Sequence, residues 1–250
     1  MNSIYLAVQD ELSRLWAPVA KVTREEGLYR LVYTKGSEQI PGFAGFGRMS
    51  DLQGHYVSKE LFPILKNRTL PKSRPEYADY LKWLGLSPSA PLDELDELSR
   101  SGGLRATDGI EIIPVPRKTE LGNYEAYFFS RGISHLPDFD VSRIKVGANL
   151  FVMKDFQNRR DENALLLRTD DPISLVGYAP KYYSTDFSRI AGACEANELS
   201  VTVEQVNPRA PSAYRVLCKI SAPWPKSFEV CTSESFSERA SEGPLLFFQS

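Results

Sequence analysis

Apolar positions in the first 35 residues alternate more than they repeat helically. IYLAVQD, WAPVAKV and LYRLVYTKG read as three short strands, rich in β-branched and aromatic types and separated by polar connectors such as TREEG. A helix over residues 3–16 is the competing assignment, because Ile4, Val8, Leu12 and Leu15 also fit a 3.6-residue period. Alternation favours the strands. Residues 36–47, containing IPGFAGFG, follow as a glycine-rich loop. Neither a Lys-Ser/Thr pair nor a strand-to-helix frame accompanies these glycines, so they read as a turn and not as a phosphate cradle.

Helical periodicity is strongest over residues 58–86. Ser58 is placed to cap a helix over KELFPILKN, with Pro63 in its first turn. Ser73 and Glu76 have capping-box spacing for a second helix, SRPEYADYLKWLG, whose Tyr77, Tyr80, Leu81 and Leu84 share a face before Gly85 ends it. Residues 87–105 turn to Ser, Pro, Gly and acid around a short helix, LDELDELSR, and read as a linker between two modules. Beyond it, TDGIEIIPVP, NYEAYFFSRGIS, GANLFVMKD, ENALLLR and ISLVGYAP are strand-length apolar runs. YSTDFSRIAGACEAN reads as one helix, capped by Ser184 or Thr185, with Phe187, Ile190, Ala191 and Cys194 inward. LSVTVEQVN and AYRVLCKIS then alternate strictly. The pattern predicts an α+β, β-rich protein. A small β-meander with a helical hairpin occupies residues 1–86, a strand-dominated module with one helix occupies 106–225, and an irregular tail runs over 226–250. The tail ends in GPLLFFQS and is expected to dock on the body or on a partner.

Composition adds mostly exclusions. A chain of 250 residues, 42% hydrophobic and 25% charged, is ordinary for globular proteins and long enough for two modest cores. Its apolar runs fall well short of the roughly 18 residues that a membrane span requires, so no membrane partner is expected. Asp10 and Glu11 interrupt the start too early for an export signal, and the sparse cysteines Cys194, Cys218 and Cys231 suit a reducing cytosol. With only two histidines, His55 and His135, and no C-x-x-C, a zinc site is not expected, nor is any other cofactor. Thirty basic and 32 acidic residues give a net charge of −2. Nucleic acid would therefore have to be met by a local patch. The densest basic run, KNRTLPKSR at 66–74, holds Lys66, Arg68, Lys72 and Arg74 without an acid; it reads first as a solvated corner between helices, with phosphate binding as the alternative.

Residues 155–184, DFQNRRDENALLLRTDDPISLVGYAPKYYS, change the picture. Asp161 and Asn163 can bond neighbouring backbone N–H groups and hold a tight loop, Ala164 enters a strand, and Gly177 permits close backbone approach. Asn158, Asp161, Asn163 and Ala164, followed by Val176, Gly177, Tyr178 and Pro180, resemble the signature of the HIRAN domain, and the following helix and two strands extend the resemblance to about residue 222. The resemblance implies a small OB-like β-barrel that holds the 3′ end of single-stranded DNA. Position by position it assigns Asn158 and Asp161 to polar groups of the family's pocket and Lys181 to its phosphate-facing lysine. The sequence departs from the family at Arg160, where a ring is expected, at Tyr178, where a histidine is expected, and at Ser134 and His135, where an Arg-Tyr pair is expected. Tyr178 or His135 remains available to stack on a base.

A weaker resemblance lies in the first module. Leu61, Phe62, Asn67 and Pro71 are similar to a pattern in the amino-terminal subdomain of HipA-type kinases, while the kinase core's catalytic motifs are absent. It implies an interaction surface. Two functional expectations follow. The first is a noncatalytic nucleic-acid-binding protein recognising single-stranded DNA or DNA ends through Asn158, Arg159, Arg160, Asp161, Tyr178, Lys181 and His135. The second is a regulatory module with a protein partner at residues 59–86 or at the C-terminal tail. The enzyme alternative, a metal-dependent nuclease, would draw on Asp155, Asp161, Asp170 and Asp171, although Asp-Asp-Pro more often marks a hairpin connector.

Overall fold

The computed structural model describes residues 2–88, 93–105, 107–136, 139–159, 161–195 and 197–248. In chain order its strands are β1 (Asn2–Gln9), β2 (Trp16–Glu25), β3 (Leu28–Tyr33), β4 (His55–Ser58), β5 (Ile110–Pro114), β6 (Arg117–Lys118), β7 (Asn123–Phe129), β8 (Asn149–Lys154), β9 (Leu165–Arg168), β10 (Leu175–Tyr178), β11 (Ser200–Val206), β12 (Val216–Pro223) and β13 (Leu245–Phe247). The helices are α1 (Pro63–Lys66), α2 (Tyr77–Trp83), α3 (Glu94–Ser101) and α4 (Lys181–Ala191). The chain divides into two compact units, one of residues 1–74, 91–115 and 231–250, the other of 75–90 and 116–230.

In the first unit, a six-stranded sheet runs β13-β4-β3-β2-β1-β5. The three amino-terminal strands form where alternation places them, and β1 pairs antiparallel with both β2 and β5. Ile4, Leu6, Val19, Val22 and Leu31 fill one core with Phe62 and Leu65, and with Leu95 and Leu98 of α3. Residues 93–105, which composition alone marks as linker, thus place a fully buried helical face in this unit. Asp93 caps α3 by accepting from Leu95 N–H at 2.9 Å, and left-handed Gly102 ends it. The helix itself was legible; polar composition hid its place in the core, because its two inward leucines lie three residues apart among charged side chains.

Two expected caps do not form. The first helix begins at Pro63 with Phe62 at its cap position, and Ser58 sits in β4, where its hydroxyl accepts from Glu60 N–H at 3.1 Å. Proline fixes φ and is suited to a helix's first turn, so the helix starts there and the serine serves a local turn instead. The second begins at Tyr77 after Glu76, with no side-chain cap bond from Ser73. Within the basic run, Arg68 is not solvated: its side chain is 1% exposed, bonded to Asp108 at 2.6 Å and to Gly103 O at 2.8 Å. Lys66, Lys72 and Arg74 remain exposed.

The C-terminal segment is built into this unit. Strand β13 lies parallel to β4, Phe248 packs 5.8 Å from Phe62, and Phe236 meets Tyr5 edge-on at 4.8 Å. His55 is pinned between the two stretches: Arg30 donates to its Nδ1 at 3.2 Å, and its Nε2 donates to Ala240 O at 3.0 Å. Arg30 also pairs with Glu238 at 3.3 Å. No helix among the described residues is long and apolar enough to cross a membrane.

The second unit is a curled seven-stranded sheet, ordered β10-β9-β8-β11-β12-β7-β6 and antiparallel throughout. Its ends approach each other. Just past β7, Arg131 exchanges both backbone hydrogen bonds with Tyr178 of β10, at 2.8 and 2.9 Å. The concave face holds Tyr124, Phe128, Leu150, Leu165, Leu167, Val176, Val203 and Ile220. Against it packs α4, through Tyr183, Phe187 and Ile190. This helix starts at Lys181 after Pro180, so Ser184 and Thr185 lie inside it and are not its caps, and Ala191 points outward. A half-closed barrel with one helix is the OB-like architecture expected.

Candidate nucleic-acid interface

The connection from β8 to β9 folds on its own side chains. Asp155 accepts from Gln157 N–H at 3.1 Å, Asn158 Oδ1 accepts from Asp161 N–H at 3.1 Å, and Asp161 accepts from Asn163 N–H at 3.0 Å. These are the local turns that Asp and Asn favour, chained one after another. A ladder bond and a turn bond close the base of the loop: Asp155 N–H donates to Ala164 O at 2.9 Å, and Ala164 N–H to Asp161 O at 3.1 Å.

Long-range bonds then tie the loop to β10 and α4. The Tyr178 hydroxyl donates to Asp155 Oδ2 at 3.0 Å, and the Asn158 amide donates to the same oxygen at 3.4 Å. Ser184, buried in α4, donates to Asp161 Oδ2 at 3.2 Å. Burial first, and the bond to Asp155 second, hold the Tyr178 phenol above its ordinary value, so the ring stays a protonated donor. Two glycines let that ring sit where it does. A side chain on Gly177, at φ +117°, would place Cβ 2.2 Å from Ser130 Oγ and 2.5 Å from Arg131 O; one on Gly132 would meet the Tyr178 ring at 3.3 Å.

Three expected site residues are therefore gathered on one carboxylate pair: Asn158, Asp161 and Tyr178. Arg159 is exposed on the same loop, and Lys181 is exposed in the first turn of α4, three residues after Tyr178. His135 is exposed on the short 3-10 turn that follows Gly132; among the described residues no hydrogen bond ties its ring to the cluster. Arg160 lies outside the described residues.

Sequence reasoning undervalued Asp155 and Ser184. It offered Asp155 only as a metal ligand, yet Asp155 is the hub that joins the loop to β10, and Ser184 reaches Asp161 across 23 residues. The D-x-x-N spacing from Asp155 to Asn158 was the available signal. Among the described residues, no three His, Cys, Asp or Glu side chains converge as metal ligands.

Residues 123–225 match the family model of the HIRAN domain. Among solved structures, a Lactobacillus plantarum protein is 16% identical over 39% of this chain and 96% of that one, with a TM-score of 0.30. The HIRAN domain of human HLTF is 15% identical over 45% of this chain and 80% of that one, also with a TM-score of 0.30. No curated protein matches the chain.

Proposed function

We propose that the second unit binds nucleic acid without a catalytic step, taking single-stranded DNA or a strand end at the loop of Asp155, Asn158, Arg159, Arg160 and Asp161, beside Tyr178, Lys181 and His135. The observation that carries this reading is the HIRAN family match over residues 123–225, which contains the whole polar cluster.

Chemistry favours an end over an internal segment. Asp155 and Asp161 are acceptors only, and an internal phosphate brought against them would be repelled. A terminal 3′ hydroxyl is an uncharged donor and suits them. Exposed cations at Lys181 and Arg159 then hold the neighbouring phosphates, and the half-buried Tyr178 ring offers a surface for the last base. A binding panel tests this. With 3′-tailed, 5′-tailed and blocked-end DNA, the 3′-hydroxyl end should bind best, affinity should fall as salt rises, and Lys181→Ala should weaken binding of every strand. Absence of binding at low salt to any single-stranded, duplex or tailed DNA or RNA contradicts the reading.

A further inference from the structure

Strand register aligns Met153, Leu166 and Tyr178 in one row across β8, β9 and β10, and Phe151, Arg168 and Leu175 in the next. Opposed antiparallel partners point to the same side of a sheet. The two-residue period along β8 carries that side from Phe151 through Met153 to Asp155, which is why Asp155 reaches the Tyr178 hydroxyl. The opposite side is closed, with Leu150, Leu165 and Leu167 buried in the core. The outward side is open. Phe151 and Met153 are each 45% exposed. A cation sits on one ring: the Arg168 guanidinium lies 4.5 Å from the centre of Phe151.

We propose that this face is a track for the nucleotides of a single strand inward of its terminal residue. The inference rests on the nucleic-acid reading above and deepens it. Continuity supports it, because Asp155 and Tyr178 belong both to the polar cluster and to this face. Charge complementarity supports it as well. A protein partner would cover the apolar groups but would gain little from a cation over the ring, whereas a single strand brings flat base faces to Phe151 and Met153 and a phosphate to Arg168. A duplex keeps its base faces stacked inside and has nothing to lay on these side chains. From Phe151 to Asp155 the strand spans about 13 Å, the length of roughly four stacked nucleotides at about 3.4 Å each. Asp170 and Asp171, exposed in the turn beyond Arg168, end the track by repelling phosphate.

Fluorescence anisotropy with a dinucleotide and an oligodeoxythymidylate of about ten bases separates the track from the end site. Wild-type protein should bind the longer strand at least about tenfold more tightly, since each base stacked on a ring adds affinity. The double variant Phe151→Leu, Arg168→Gln keeps apolar bulk and should lose most of that gain while binding the dinucleotide as wild type does. Equal wild-type affinity for the two ligands, or a double variant that binds the longer strand as wild type does, overturns the track and leaves the end site standing. Wild-type protein that binds neither ligand overturns both.

Discussion

Gly177 and Asp155 decide the geometry of the candidate interface. At φ +117°, with Ser130 Oγ and Arg131 O where a Cβ would stand, Gly177 has no tolerable replacement. Gly177→Ala should destabilise the second unit by at least about 2 kcal/mol, read as a lower urea midpoint with unchanged slope; an unchanged midpoint contradicts the packing described. Much of the loop was legible residue by residue, because Asx turns are local: the Asn158 and Asp161 side chains accept from backbone N–H groups within three residues. Asp155 was legible only as a carboxylate. Its bond to Tyr178 crosses 23 residues, and no local pattern records which strand returns to meet it.

Elements rich in β-branched and aromatic residues with a partner close in sequence were readable, as β1, β2, β3, β11 and β12 were. Strand β4 was not. All four of its residues are buried, so it shows no alternation, and a long glycine-rich loop separates it from β3. Strand β13 is three residues long and finds its partner nearly the whole chain away, so GPLLFFQS looked irregular. Its contribution is measurable. Phe248 N–H donates to Val57 O at 2.8 Å, His55 N–H donates to Pro244 O at 2.9 Å, and Leu246 and Phe248 pack on the core. Truncation before residue 241 should cost the first unit about 2–4 kcal/mol, and urea unfolding that is unmoved by the truncation would show that the strand merely rests there. A protein partner at this edge would have to use Leu245 and Phe247, which are 58% and 75% exposed.

At the scale of the whole molecule, near neutrality sets the terms. A net charge of −2 gives no long-range pull on a polyanion, so the account depends on a few side chains meeting one strand. Stability answers to pH at the alkaline end. Burial raises the phenols of Tyr5, Tyr33 and Tyr56 above the usual value of 10, and burial followed by Glu94 raises Tyr29 to about 12. Each phenol holds its proton more tightly folded than unfolded, so its contribution is complete below pH 10 and is lost as pH rises through the folded value. Urea midpoints of the first unit should therefore be flat up to about pH 10 and fall above it, and Tyr33→Phe should flatten the fall. The central claim is more local, and one measurement meets it directly. Affinity for a 3′-hydroxyl single strand should exceed that for the same strand with a blocked 3′ end in wild-type protein, and Asp161→Ala should abolish the difference. Equal affinity of wild-type protein for free and blocked ends would contradict the account.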